Sequence, residues 1–266
     1  GHRSECSQHL ARRTLRRVRP DDRRKPRCVD HGSRSWWHVS IHDQRGDRRL
    51  SRLVSDGSRL AFHSLRKGTF DIWTKRFDGA AGTEELLFES PDHEWPISWS
   101  RDGRFLLYQR TDRNYESSDL FALPMTGSDR TPIVVANTPA EERTGEFSPD
   151  GRWIAYQTSE SGQPELVVRG FPESKAIMHV STGGGTGPRW RADGKEIYFV
   201  ALDGKMMAVR VTSNGQTITL GAPEALFATR MLGQTFTYQY AVAPDGRFLV
   251  NNRQLADASP ITLLLN

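Results

Sequence analysis

The sequence has two cysteines in 266 residues, both inside the first thirty, so no disulfide framework supports the rest of the chain. Long apolar runs are also missing. The longest, such as Ile133–Ala136 and Leu263–Leu265, are far from the roughly 20 residues that a membrane helix needs. The chain opens on Gly1 rather than methionine, and no basic stretch leads into an apolar core as in a signal peptide. Several catalytic motifs are lacking. There is no Gly-rich phosphate loop with its strand lysine, no His-Arg-Asp and no Asp-Phe-Gly, which excludes phosphotransfer by these residues. There is no Gly-x-Ser-x-Gly elbow either, nor room for the α/β domain that carries one.

Charge is unevenly spread. Residues 1–50 carry a net +8 and the remainder a net −3, so the overall +5 belongs to the first fifty residues. That segment holds five of the eight histidines and shows no helical or alternating apolar period. It is expected to be disordered, and its Arg, His, Ser and Cys content fits an out-of-frame translation of GC-rich DNA. Cys6, His9, Cys28 and His31 supply the ligand types of a structural zinc, although the Arg-rich stretch between the pairs offers little to pack. The Arg clusters would neutralise phosphates as a nucleic-acid arm. No aromatic interleaves them before Trp36, which argues against that reading.

What the remainder has is a repeat. Asp-Gly recurs at Asp56-Gly57, Asp102-Gly103, Asp150-Gly151, Asp193-Gly194 and Asp245-Gly246. Three residues before each Asp stands an apolar residue, namely Leu53, Trp99, Phe147, Trp190 and Val242. Four residues after it stands an aliphatic one, namely Leu60, Leu106, Ile154, Ile197 and Leu249. Asp-Gly between two extended apolar segments predicts a hairpin, with Gly supplying positive φ and Asp tolerating it. The Asp side chain is expected to accept backbone hydrogen bonds in its own turn, a structural role rather than that of acid or metal ligand. A third and a shorter fourth apolar segment follow in most units, for example Asp119–Phe121 and Ile133–Val135.

Strand, turn, strand, loop, strand and a closing strand make up a propeller blade. The predicted fold is all-β, a propeller of about five four-stranded blades forming an incomplete part of a ring of six or more. The blades are expected near 51–90, 95–137, 144–182, 187–229 and 236–266. Trp73, Trp99, Trp153 and Trp190 fall at strand positions and are expected to pack between blades. Gly183–Gly185 lacks the Lys-Ser or Lys-Thr of a phosphate cradle and is expected to be an interblade loop. Glu84-Glu85 and Glu141-Glu142-Arg143 are expected on the solvated surface.

The stretch Phe147-Ser148-Pro149-Asp150-Gly151-Arg152-Trp153-Ile154-Ala155-Tyr156 resembles the Ser-Pro-Asp-Gly repeat of TolB-like propellers, and Ala243-Pro244-Asp245-Gly246-Arg247 is a near match. The resemblance covers residues 51–266, although only one unit keeps the full tetrapeptide. Similar propellers follow the kinase domain of some bacterial serine/threonine kinases and gate prolyl-oligopeptidase-type peptidases. The resemblance implies a non-catalytic module without cofactor that binds a protein or small ligand at its loop face or channel, in an extracytoplasmic or periplasmic setting. It fixes the fold far better than the task.

Overall fold

The computed structural model describes residues 38–42, 48–53, 58–76, 84–173, 176–214, 216–231, 238–251 and 262–264, with side chains between 58 and 251. Cys6, His9, Cys28, His31, Asp56 and Gly57 lie outside the described residues. The chain divides into residues 1–32 and 33–266, and the propeller fold is that of the second unit. Every regular element described is a strand, as expected of an all-β propeller.

The first blade holds β1 (His38–His42), β2 (Arg48–Leu53), β3 (Arg59–Ser64), β4 (Asp71–Arg76) and β5 (Glu84–Phe88), paired in that order. Its first two strands start upstream of residue 51, inside the segment whose composition suggests disorder. Val39 and Ile41 alternate with polar residues over too short a span to register in a fifty-residue average. The second blade is β6 (His93–Trp99), β7 (Phe105–Thr111), β8 (Ser118–Pro124) and β9 (Ile133–Ala136). The third is β10 (Glu142–Phe147), β11 (Trp153–Thr158), β12 (Glu165–Gly170) and β13 (Ile177–His179).

The fourth blade contains β14 (Thr186–Trp190), β15 (Glu196–Val200), the long β16 (Lys205–Ser213), β17 (Ile218–Leu220) and β18 (Glu224–Ala228). One end of β16 pairs with β18 and the other with β17, so this blade departs from the four-strand expectation. The fifth is described as β19 (Tyr240–Val242), β20 (Phe248–Val250) and β21 (Thr262–Leu264). All pairings are antiparallel.

The four visible Asp-Gly units share one turn. The amides of Gly103, Gly151, Gly194 and Gly246 each donate 2.9 Å to the carbonyl three residues back, and all four glycines have φ between +71° and +87°. The preceding Asp does not share the positive φ, which corrects the expectation for that residue. Neither central residue of the turn has positive φ, and the left-handed conformation falls on the glycine that closes it, as in a type I turn followed by a bulge. Asp102 Oδ1 instead accepts the Arg104 amide at 3.0 Å, and Asp193 Oδ1 the Lys195 amide at 3.0 Å. In the Ser-Pro-Asp-Gly unit Ser148 Oγ donates to Asp150 at 2.5 Å and accepts the Trp153 amide at 3.0 Å. The serine therefore locks the turn to the strand that leaves it.

Blades pack in chain order. β6 lies against β2, β3 and β4, β10 against β6, β7 and β8, and β14 against β10, β11 and β12. Alternation sends Tyr108, Phe121 and Trp99 toward Ala61 and Ile72 of the first blade, while Leu107 and Leu120 meet Tyr156 and Val167 of the third. Trp153 and Trp190 sit together with Val168 and Phe199 between the third and fourth blades. Trp73 is half-buried, and the Arg66 guanidinium lies 4.8 Å from its ring centre. Among the described residues no helix is long and apolar enough to cross a membrane.

Candidate functional site at the loop end of the first two blades

The Asp-Gly turns occupy one end of the blades. The opposite end carries the β3–β4 and β7–β8 loops and the segments through which the chain crosses from one blade to the next. There His63 is the penultimate residue of β3, Phe70 precedes β4, His93 opens β6 and Trp95 follows two residues on. Their rings form one group. Trp95 lies 4.5 Å from His63 and 4.6 Å from Phe70 between centroids, and His93 lies 5.3 Å from Phe70. The Phe70 amide donates to His93 Nδ1 at 3.1 Å, which places the ring proton on Nε2. Burial, then the Arg113 charge, hold the His93 pKa below the usual value, so the imidazole is neutral at pH 7.

Tyr115 caps this group from the β7–β8 loop. It is 53% exposed, stacks on His93 at 5.0 Å and 20°, and has φ +61°. A bulky residue rarely takes that conformation unless its surroundings impose it. Here Asp112 does so, because its carbonyl accepts the Tyr115 amide at 3.0 Å and its Oδ1 accepts the Glu116 and Ser117 amides at 2.7 and 2.8 Å. Those amides hold the Asp112 carboxyl below its ordinary pKa. Arg113 Nε also donates to the Pro91 carbonyl at 2.5 Å, tying the loop to the crossing between the first and second blades.

Buried carboxylates stand behind the rings. Glu94 has 0% exposure, accepts the Ser90 hydroxyl, and faces Arg110 Nε at 3.9 Å, an ion pair without a hydrogen bond. Burial raises its carboxyl to about 7 against the opposing effects of Ser90 and Arg110. Asp71 accepts the Thr69 hydroxyl at 3.0 Å and is likewise raised, chiefly by burial. At the next crossing Glu142 accepts Thr138 Oγ1 at 2.5 Å and is buried, not solvated as expected. It opens the inner strand of a blade, where the preceding blade covers it. Glu84 is half-buried, against the same surface expectation, and pairs with Arg66.

The remaining sequence candidate is the glycine run between the third and fourth blades. Gly183–Gly185 does form the crossing from β13 to β14, and the Gly184 amide donates 2.9 Å to Glu165 Oε1, so it is already engaged. Gly184 has φ +87°, and a Cβ there would approach Leu202 Cδ1 to 2.3 Å. Gly184→Ala is expected to cost about 2 kcal/mol, read as a lower guanidinium midpoint at unchanged slope. Nearer the centre, Glu146 accepts Arg189 Nη1 at 3.0 Å and the Trp190 amide at 2.7 Å. The Arg189 guanidinium lies 3.5 Å from the Tyr238 ring centre, and the Tyr238 hydroxyl donates 3.0 Å to the Gly145 carbonyl. Sequence reasoning missed Glu94 and Glu146 altogether. A signal was available for the former, since Ser90-Pro91-x-x-Glu94 and Thr138-Pro139-x-x-Glu142 repeat at equivalent crossings. Among the described residues no three His, Cys, Asp or Glu side chains are grouped to hold a metal ion.

These features define a β-propeller with a preorganised aromatic patch at its loop end. No protein-family model matches the chain, and no curated protein matches its sequence. Solved structures do resemble it. A TolB-type protein from Agrobacterium tumefaciens superposes with a TM-score of 0.51 at 18% identity, over 71% of this chain and 80% of that one. TolB from Acinetobacter baumannii gives 0.56 at 15% identity, over 78% of this chain and just 54% of that one. Hydrazine synthase from Kuenenia stuttgartiensis gives 0.58 at 13% identity, covering 86% and 77%. At these identities the likeness establishes the TolB-like propeller fold and nothing of its chemistry.

Proposed function

We propose that the chain is a non-catalytic binding module that docks a protein partner on the loop end of its first two blades, in an extracytoplasmic setting like that of TolB-like proteins or the sensor part of a receptor kinase. The observation that carries this reading is Tyr115, held in a left-handed conformation and largely exposed by a loop that Asp112 fastens from three sides. Strain of this kind is retained where it serves a purpose, and a rigid exposed tyrosine anchors interfaces at low entropic cost. Leu65, 41% exposed on the adjoining β3–β4 loop, extends the apolar surface.

A photo-crosslinking residue placed at position 115 tests this in cells of the source organism. The expected result is one discrete adduct, identified by mass spectrometry, that is absent when the same residue replaces Val134 on an outer strand. Equal adduct patterns from both positions would remove the loop end from consideration.

A further inference from the structure

One crossing motif occurs twice, and its two copies are unequally satisfied. At Thr138-Pro139-x-x-Glu142 the threonine hydroxyl accepts the Ala140 amide at 3.1 Å and donates to Glu142 Oε1, while the Thr138 amide donates to Glu142 Oε2 at 3.4 Å. At Ser90-Pro91-x-x-Glu94 the serine hydroxyl likewise accepts the Asp92 amide at 3.1 Å and donates to Glu94 Oε1. Glu94 Oε2, however, has no donor, although Glu94 has 0% exposure. Its cross-strand partner on β7 is Arg110, so the two side chains share a face, and Arg110 Nε stands 3.9 Å from Glu94 Oε1 with no acceptor of its own. The rest of the guanidinium is engaged, with Nη2 donating 3.1 Å to the Tyr108 hydroxyl and the central carbon 4.3 Å from the Phe121 ring centre. A buried acceptor and a buried donor that stop short of each other suit a neutral carboxyl and not an ionised one.

We propose that Glu94 and Arg110 form a proton-operated switch that sets the shape of the Tyr115 docking loop. The inference deepens the loop-end docking reading and rests on it for its purpose. With the proton on Glu94 the pair stays open, and Tyr115 keeps its stacked position on His93. Loss of the proton leaves a buried negative charge beside a donor that lacks an acceptor, and Arg110 Nε closes onto it as a direct hydrogen bond. Two paths carry that motion to the loop. Arg110 lies two residues before Asp112, whose carbonyl and carboxylate gather the loop amides. Ser90 adjoins Pro91, whose carbonyl accepts Arg113 Nε, and Glu94 adjoins His93, on which Tyr115 stacks. Arg110 favours the ionised form of Glu94, while Asp71 on β4 and Asp92 in the crossing oppose it. Asp119 stands across the β7–β8 ladder from Arg110 and draws on the same guanidinium. Of the other strands packed on β6, β3 holds Arg59 and His63, and β10 holds Glu142, Arg143 and Glu146. The β2 strand holds Arg48, Arg49 and Arg52. Burial outweighs these charges and raises Glu94 to about 7, where ordinary changes of pH move the proton.

The test is an NMR titration of the full chain from about pH 5 to pH 9, read at the Arg110 Nε–H and at the Asp92 and Tyr115 amides. The three signals are expected to move together in one step with its midpoint at about 7. Above that step the Arg110 Nε–H is expected to be protected from solvent exchange at least about tenfold relative to Glu94→Gln at the same pH. Glu94→Gln keeps the neutral shape and is expected to abolish the step, leaving only the separate, lower one of His93. An Arg110 signal that does not move, or a Tyr115 step that survives in Glu94→Gln at the same midpoint, overturns the proposal. The position-115 crosslinker judges the docking reading separately. An adduct without the pH step sinks the switch and leaves the docking surface, while the step without an adduct upholds the switch and removes the docking partner.

Discussion

Glu94→Gln is expected to stabilise the protein at pH 8 by up to about 3 kcal/mol while changing little at pH 4. The carboxyl is raised to about 7 in the fold from 4.5, chiefly by burial, with Ser90 and Arg110 opposing and Asp71 adding to the rise. Between those two values the folded protein holds a proton that the unfolded chain has released. Stability therefore falls as pH rises through that window and levels off above about 7. Glutamine keeps the shape and an oxygen for the Ser90 hydroxyl, but has no charge to desolvate. Guanidinium midpoints of the two proteins at pH 5 and 8 decide the matter, and parallel pH profiles would show that Glu94 is solvated or already neutralised.

Glu146→Ala is expected to cost about 3–5 kcal/mol, the largest loss foreseen for any single side chain here. Glu146 and Arg189 are both nearly buried, and the carboxylate is shared between Arg189 Nη1 and the Trp190 amide. Removing it takes a buried carboxylate from Arg189 and leaves the Trp190 amide without its 2.7 Å acceptor. Glu146→Met combined with Arg189→Leu removes both charges at similar volume, and is expected to recover much of the loss. A double-mutant cycle in guanidinium gives the coupling. A single-variant loss under about 1 kcal/mol would mean that water reaches the pair.

The blade register was legible because it depends on turn chemistry and side-chain alternation, both local. Asp102, Asp150, Asp193 and Asp245 mark hairpins, and Leu106, Ile154 and Ile197, at a fixed offset from three of them, are fully buried. The loop-end site was not legible, because its members come from separate turns and strand ends and a charged residue there carries no sign of what covers it. Glu142 reads as surface in Glu141-Glu142-Arg143, yet the crossing closes over it while Glu141 beside it stays half-exposed. Tyr115 sits in an unremarkable polar stretch, and its strained φ is visible only once Asp112 has gathered the loop amides.

Tyr238 reaches past the fourth blade to a carbonyl in the third, ninety-three residues earlier in the chain. Stacked repeats that touch only their neighbours can fold one after another as they leave the ribosome. Here Tyr238, at the entry to the fifth blade, closes over Arg189 and joins the third, so the guanidinium lacks that cover until translation has passed Tyr238. The fifth blade is thus a late clasp on the third and fourth, which reach full cooperativity only after translation has passed it.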